Sequence, residues 1–374
     1  MNGKSERILS LDVFRGLTMA LMILVNSQGT PFPYPILEHA TWDGFTLADL
    51  VFPSFLFIVG VTTVISLKRQ IGLQGAAQLN IYKGIAQRSI LLFLFGLLLN
   101  AIPYHFDFAS LRFYGILQRI ALCYFICAIL YLHTSIRTQA ILFFGILIGY
   151  WYLMTRIPVP GMSGEPLGVT TNWVAYIDTM MFPAANLYKT FEPEGLLSTF
   201  PAVATTLSGL LTGSFLLTQW SKPKKCLLMI AVGCLFLVVG WYWGYSFPIN
   251  KNLWSSTFVL WSSGISLIVF ALCFYVIDVL GYSKWTFPFK VMGMNALFIF
   301  IFHVLLLKIQ AMFYLPLRDG TSAMLRVFIA DYLFGPLGQE NAALLYALVF
   351  LGLNFLVAVF LYRKKIFFKS PFQQ

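Results

Sequence analysis

Charge is scarce in this chain: 10% of its 374 residues are charged, and acidic residues number 14 against 25 lysines and arginines. An ordinary soluble domain carries about 25% charged residues, so a conventional water-exposed surface is excluded. Cysteine is scarce too. Of the five, Cys123, Cys127, Cys234 and Cys273 lie inside apolar runs and Cys226 opens one after "SKPKK". No two have CxxC spacing, so disulfide, redox and zinc readings lack support, no metal is expected, and buried small side chains explain them better. GxSxG, the P-loop, GxGxxG and HExxH are absent, which removes the usual soluble nucleophile, nucleotide and zinc-protease motifs. The net charge of +11 does not point to nucleic acid, because the basic residues fall in short loops and at the C-terminus.

What is present is apolar: 59% of residues are hydrophobic and the mean hydropathy is +0.79. Crossing a bilayer takes about 20 mostly apolar residues. Runs that qualify lie at 8–26, 47–67, 84–102, 112–132, 138–155, 196–218, 226–245, 254–280, 289–309 and 342–362. The stretch 321–335, "TSAMLRVFIADYLFG", is short and holds Arg326 and Asp331, so it reads as a half-span or interfacial helix. The expected fold is an all-α polytopic membrane helix bundle, of about ten transmembrane helices plus one short half-span, in a single domain over 1–374. The first span has basic residues ahead of it but no small-x-small cleavage site behind, so it reads as uncleaved.

Seventeen of the 25 basic residues fall on one side if the N-terminus is cytoplasmic, among them Lys4, Arg7, Lys68, Arg69, Arg363 and Lys369. The positive-inside bias then places both termini in the cytoplasm. The opposite side receives the two long connectors, 27–46 and 156–195, rich in Pro, Gly, Asn and aromatics; long ordered loops are often functional.

Within so apolar a chain the polar residues stand out. In "HATWDGFTLADLVFP", residues 39–53, His39 carries the side chain best suited to moving a proton near neutral pH. An interfacial histidine beside Trp42 in an aromatic belt is the bland alternative. Asn26 ends the first span and could face the same cavity. Asp49 enters an apolar span, where a carboxylate needs partners; a structural role is expected of it, with Asp43 or Thr46 capping the second span and Gly44 marking a turn or helix start. Asp12 and Arg15, three apart on one helix face, suit an intrahelical pair, or a site for a phosphate-bearing ligand. Gln118 and Arg119 sit inside the fourth span, and Asn295 and His303 lie two turns apart on one face of the ninth.

Several of these stretches together resemble one family, the transmembrane acyltransferases typified by heparan-α-glucosaminide N-acetyltransferase. They are "LDVFRGLTMALMILVN" at 11–26, "HATWDGFTLADLVFPSFLFIVG" at 39–60, "YGILQRIALCYF" at 114–125, "FEPEGLLSTFPAV" at 191–203, "PINKNLWSSTFVLW" at 248–261 and "MGMNALFIFIFH" at 292–303. The resemblance implies transfer of an acetyl group from cytosolic acetyl-CoA to the amine of a glucosamine-type sugar across the membrane. It makes His39 the active-site histidine and Asn26 its catalytic neighbour. It also implies a bacterial catalytic core without the animal enzyme's luminal domain, placed in the inner membrane as a homodimer, with the His39 loop periplasmic.

His39 either becomes acetylated or acts as general base. Arg15, Arg88, Lys224 and Lys225 are the expected phosphate partners of the donor, with Arg119 in the wall of the same cleft. Trp42, Asp43, Glu192, Glu194, Asn250, Asn252, Asn295 and His303 are expected to meet the acceptor, while Asp12 and Asp49 hold structure. An amino-sugar transporter and an O-acyltransferase of envelope glycans are the alternatives.

Overall fold

The computed structural model describes residues 8–102, 107, 109–188, 192–317 and 321–367; Lys4, Arg7 and Lys369, counted in the charge bias, lie outside them. The chain is an all-α bundle. Its helices are α1 (Leu9–Asn26), α2 (Leu47–Leu67), α3 (Ala76–Ala101), α4 (Ile116–His133), α5 (Ile136–Arg156), the short α6 (Trp173–Met181), α7 (Thr199–Leu216), α8 (Lys222–Trp243), α9 (Ser256–Phe274), α10 (Phe287–Met294), α11 (Ala296–Ala311), α12 (Leu325–Phe334) and α13 (Gln339–Arg363). Among the described residues nine helices are long and apolar enough to cross a membrane unbroken, α9 being counted together with a π-helical extension to Val279.

The ninth expected crossing is not one helix. The sequence pattern puts a continuous span at 289–309, whereas the chain bends by 71° between Lys284–Met294 and Ala296–Ala311. Asn295 sits at the break, with φ −117° and ψ 32°, and its side-chain amide donates to the Ile366 carbonyl (3.2 Å). A break inside a bundle frees backbone groups that polar side chains or neighbouring chain must satisfy. The stretch at 321–335 does form a short helix, α12, but it starts from a two-stranded antiparallel ribbon, Tyr314–Pro316 with Ser322–Met324, that hydropathy did not reveal.

Two close helix contacts set the frame. α2 lies against α7 with Gly60 over the Thr206 carbonyl and Gly209 over the Phe57 carbonyl; a Cβ at either glycine would stand 2.0 Å from that oxygen. α1 lies against α10 in the same way, through Gly16 over Phe289 and Gly293 over Asp12. Small residues let backbones approach where lipid offers no hydrophobic drive for association. The main core fills the space between α2, α4, α7 and the buried face of α9, around Leu56, Tyr124, Leu207 and Phe258.

The ends of the bundle differ in chemistry. At one end Ser10 N–H donates to Asp278 (3.2 Å), Lys222 donates to the Asp278 carbonyl (3.1 Å), and Asn295 meets Ile366. At the other end the loop after α1 is stitched to the start of α13 by Gly29 N–H to Ala343 and Tyr34 to Asn341, and His39 lies in that loop.

The glycine contacts give a stability test. Gly209→Ala forces a methyl against the Phe57 carbonyl and is expected to cost about 1–3 kcal/mol or more, read as a lower melting temperature in detergent. Gly149→Ala, with nothing within 4 Å of the new Cβ, is expected to be neutral or slightly stabilising; equal losses at the two positions would contradict the packing argument.

Candidate functional site

The cluster around His39 begins with the cap of α2. Asp49, in the first turn of that helix, accepts from the Thr46 backbone N–H (3.1 Å), the Thr46 hydroxyl (3.1 Å) and the Ala40 N–H (3.2 Å), all through Oδ2. Thr46 and Asp49 together form a capping box at the start of α2. The other Asp49 oxygen does more. Oδ1 lies 2.8 Å from His39 Nδ1 and 3.4 Å from Lys251 Nζ. Each of these contacts is with a donor, the pattern of an ionised carboxylate, and the Asp49 side chain is only 1% exposed. The His39 side chain is 48% exposed. The result is an accessible imidazole anchored by a buried acid.

Because an ionised carboxylate can only accept, Nδ1 carries the hydrogen in the neutral ring and the lone pair is left on Nε2. That is the orientation logic of a histidine–carboxylate pair in nucleophilic catalysis. Asn26, expected beside His39, forms no hydrogen bond with that ring among the described residues.

The third member comes from the turn between α8 and α9, held by its own polar groups. Asn250 accepts from Leu253 N–H (2.8 Å), receives Ser255 N–H at its carbonyl (3.0 Å), and donates through its side chain to Asp43 (3.0 Å). Gly44 N–H donates to the Ile249 carbonyl (2.8 Å), joining this turn to the His39 loop. Trp254 adopts a left-handed φ of 53°, an uncommon conformation for a bulky residue. It is fixed by its indole N–H on Thr205 (3.0 Å) and by edge contacts with Phe52 and Phe258. The turn delivers Lys251 Nζ to 3.0 Å from His39 Nδ1 and 3.3 Å from Nε2. Burial lowers the Lys251 amine below its ordinary value, and Asp49 and Glu194 oppose that drop.

A second polar cluster lies nearby. Arg112 forks onto Glu192 through Nε (3.0 Å) and Nη2, pairs with Glu194 (2.5 Å), and covers the Tyr188 ring at 4.8 Å. Burial works against the charged forms of all three. The two carboxylates nevertheless hold the guanidinium up, and Arg112, Arg119 and Lys251 bring Glu194 below the usual range. Arg119 is fully buried; it donates to the Gly195 carbonyl (3.1 Å) and Ser198 (2.5 Å) and lies over Trp254 at 5.0 Å. Asp178 of α6 accepts from Leu196 N–H (2.9 Å). Burial, with negative Glu192 nearby, pushes it up to about 7 against the opposing effect of that hydrogen bond and of Arg119.

The other expected residues distribute as follows. Trp42 donates its indole N–H to the Leu167 carbonyl (3.1 Å). Asp43 is exposed but tied to Asn250, and Asn252 is half-buried in the same turn. His303 is fully buried with Nδ1 near the Ile299 carbonyl (3.3 Å) and its ring edge-on to Phe300, far along α11 from the bend at Asn295. The hydrogen bonds of Asn295 to Ile366 and of His303 to Ile299 both lie away from the His39 cluster. Of the expected donor-side cations, Lys225 donates to the Leu216 and Thr218 carbonyls (2.7 Å each) at the end of α7, Lys224 lies over Trp220 at 4.2 Å, and Arg88 is half-buried on α3. Arg15 pairs with Asp12 (3.5 Å), donates to the Gly293 carbonyl (3.2 Å) and lines an apolar cavity with Met19, Val59, Leu92 and Phe300. Among the described residues no group of three or more His, Cys, Asp or Glu could hold a metal.

Lys251, Arg112 and Asp178 were not singled out from sequence. The signal existed: Lys251 and Arg112 are basic residues on the side that the charge bias leaves poor in them.

A family model described as "Heparan-alpha-glucosaminide N-acetyltransferase, catalytic" matches residues 7–240. Heparan-alpha-glucosaminide N-acetyltransferase of Homo sapiens is 28% identical over 419 aligned residues, covering 97% of this chain and 60% of that protein. The Mus musculus protein is 28% identical over 422, covering 98% and 61%. The chain thus spans about 60% of the length of these curated relatives.

Asp178 gives a pH prediction. An aspartate of ordinary value 3.8 raised to about 7 binds more protons folded than unfolded, so its effect on stability becomes less favourable as pH rises from about 4 to 7. Between pH 5 and pH 8 the melting temperature of the wild type is expected to fall more than that of Asp178→Asn; parallel pH profiles would remove Asp178 as the cause.

Proposed function

The chain belongs to the heparan-α-glucosaminide N-acetyltransferase catalytic family, and from that premise we propose that it transfers an acetyl group from acetyl-CoA to the amine of a glucosamine-type sugar. The observation that carries the reading is the exposed His39 ring held at Nδ1 by buried Asp49, 2.8 Å away, with Nε2 left to act. In a direct route Nε2 takes the proton of the attacking amine. In a two-step route Nε2 attacks the thioester carbonyl, the C–S bond breaks, and acetyl-His39 then passes its acyl group to the amine. Asp49 serves either route by holding the tautomer and offsetting the positive charge that the ring acquires.

The charge bias supports placing both termini in the cytoplasm and His39 at the periplasmic face of a bacterial inner membrane. Arg15, at the edge of the apolar cavity between α1, α2, α4 and α11, is the best-supported donor-side cation, since a guanidinium suits a phosphate and the cavity suits an uncharged pantetheine arm. Lys225 is the least supported, because its donors already serve backbone carbonyls. Glu194, within electrostatic reach of Lys251, and half-buried Asn252 are the groups best placed for the acceptor's amine and hydroxyls.

Purified protein in detergent, given labelled acetyl-CoA with and without glucosamine, tests this. Label is expected on the sugar with the wild type and not with His39→Ala, and Asp49→Asn is expected to lower kcat by roughly 10²–10⁴-fold. Label trapped on His39 before acceptor is added selects the two-step route. Amino-sugar flux in sealed vesicles, independent of acetyl-CoA and without any transfer, would overturn the enzyme reading.

A further inference from the structure

Lys251 needs an explanation that Asp49 alone does not provide. The Asp49 carboxylate already receives His39, Ala40 N–H and two donors from Thr46, all at 3.2 Å or less. Lys251 is its most distant partner at 3.4 Å. The ammonium lies closer to the imidazole, at 3.0 and 3.3 Å from the two ring nitrogens. Since the Nδ1 hydrogen is directed at Asp49, that nitrogen has no lone pair to offer, and the cation's remaining reach is toward Nε2. Burying an amine there is unfavourable, and the chain adopts a left-handed Trp254 in the turn that brings it. Strain of this kind clusters at functional sites.

We propose that Lys251 is a catalytic residue whose ammonium stabilises the oxyanion formed when an acyl carbonyl is attacked at His39 Nε2; this rests on His39 being the acyl-handling group. In that step the Nε2 lone pair forms a bond to the carbonyl carbon, and the C=O π electrons move onto oxygen. A carbonyl carbon in contact with Nε2 brings its oxygen within reach of a cation 3.3 Å from that nitrogen. The lysine stem is flexible enough for Nζ to turn from ring to oxygen. Re-forming C=O expels the thiolate and leaves acetyl-imidazolium, whose charge Asp49 offsets. Lys251 keeps its protons throughout. An oxyanion donor in a water-poor site is worth about 10²–10³ in rate where one has been removed.

Diethyl pyrocarbonate acylates an imidazole through the same tetrahedral oxyanion and needs no natural donor. Its rate of reaction at His39 is read by peptide mass spectrometry, with exposed His133 in the same molecule as internal reference. Relative to His133, Lys251→Met and Lys251→Gln are expected to slow His39 acylation by about 10²-fold, while Lys251→Arg stays near wild type. The kcat for acetyl-CoA should follow the same order, with stabilisation of the protein by CoA unchanged. Wild-type rates in Lys251→Met, or a Gln variant as fast as the Arg variant, would overturn the assignment, the second showing that a hydrogen-bond donor without charge suffices. If His39 acylation depends on Lys251 but the wild type transfers nothing from acetyl-CoA, the donor reading fails and the assignment of Lys251 stands.

Discussion

Much of the polar end of this bundle depends on the placement of one carboxylate. Asp49 is buried at the mouth of an apolar helix, where an unpaired ionised group would cost several kcal/mol. The chain satisfies it from three directions: the cap of its own helix through Thr46, the preceding loop through Ala40 and His39, and the distant α8–α9 turn through Lys251. Each donor is thereby fixed in place. The loop that carries His39 is long and contains only one short 3₁₀ turn over Pro35–Leu37, so without that anchor the ring would have many rotamers and no defined tautomer. Capping the helix and orienting the imidazole are a single act, performed by two oxygens of one side chain.

This combined role marks where reading the sequence stops. The unbroken crossings were legible because hydrocarbon demands about 20 apolar residues regardless of neighbours, and α1, α2 and α13 lie within a few residues of where hydropathy placed them. His39 and Asp49 both stood out, one as an imidazole near the membrane boundary and the other as a carboxylate entering an apolar span. Their pairing did not, because nine residues separate them, 40–46 of which are irregular loop, and no periodicity brings the two together. Lys251 lies more than 200 residues further on, and only the tertiary clasp of Asn250 on Asp43 and Gly44 on Ile249 makes it a neighbour. The break at Asn295 was hidden for a similar reason: the apolar run "VMGMNALFIFIF" satisfies a hydropathy window whether straight or bent, and nothing in it shows that Gly293 packs onto α1.

The cations also divide by the partners they find. Lys225 and Lys222 donate to carbonyls near helix ends, where the helix dipole and unfilled acceptors favour positive charge. Arg112, Arg119 and Lys251 instead come within range of Glu192, Glu194, Asp178 and Asp49, in a zone poor in basic residues. A charge bias counted along the sequence cannot separate these groups, since it weighs every lysine alike. Burial can, because a buried cation persists only where an anion or a set of carbonyls meets it.

The same partition bears on where acyl chemistry can occur. The cavity between α1, α2, α4 and α11 is lined by Arg15, Thr62 and otherwise apolar or glycine positions. Thr62 gives its hydroxyl hydrogen to helix carbonyls of its own turn, and an arginine does not lose its proton at working pH. That cavity can shelter an uncharged chain but contains no nucleophile or base to receive an acyl group. The groups able to do so stand in the His39 cluster, which contributes nothing to the cavity lining. On the proposed reading, a donor seated in the cavity extends beyond it toward α2's first turn. There the His39 ring, a cation and a carboxylate already lie within hydrogen-bonding distance of one another, Asp49 at Nδ1 and Lys251 at both ring nitrogens, so on the proposed reading the donor moves and these three groups stay in place.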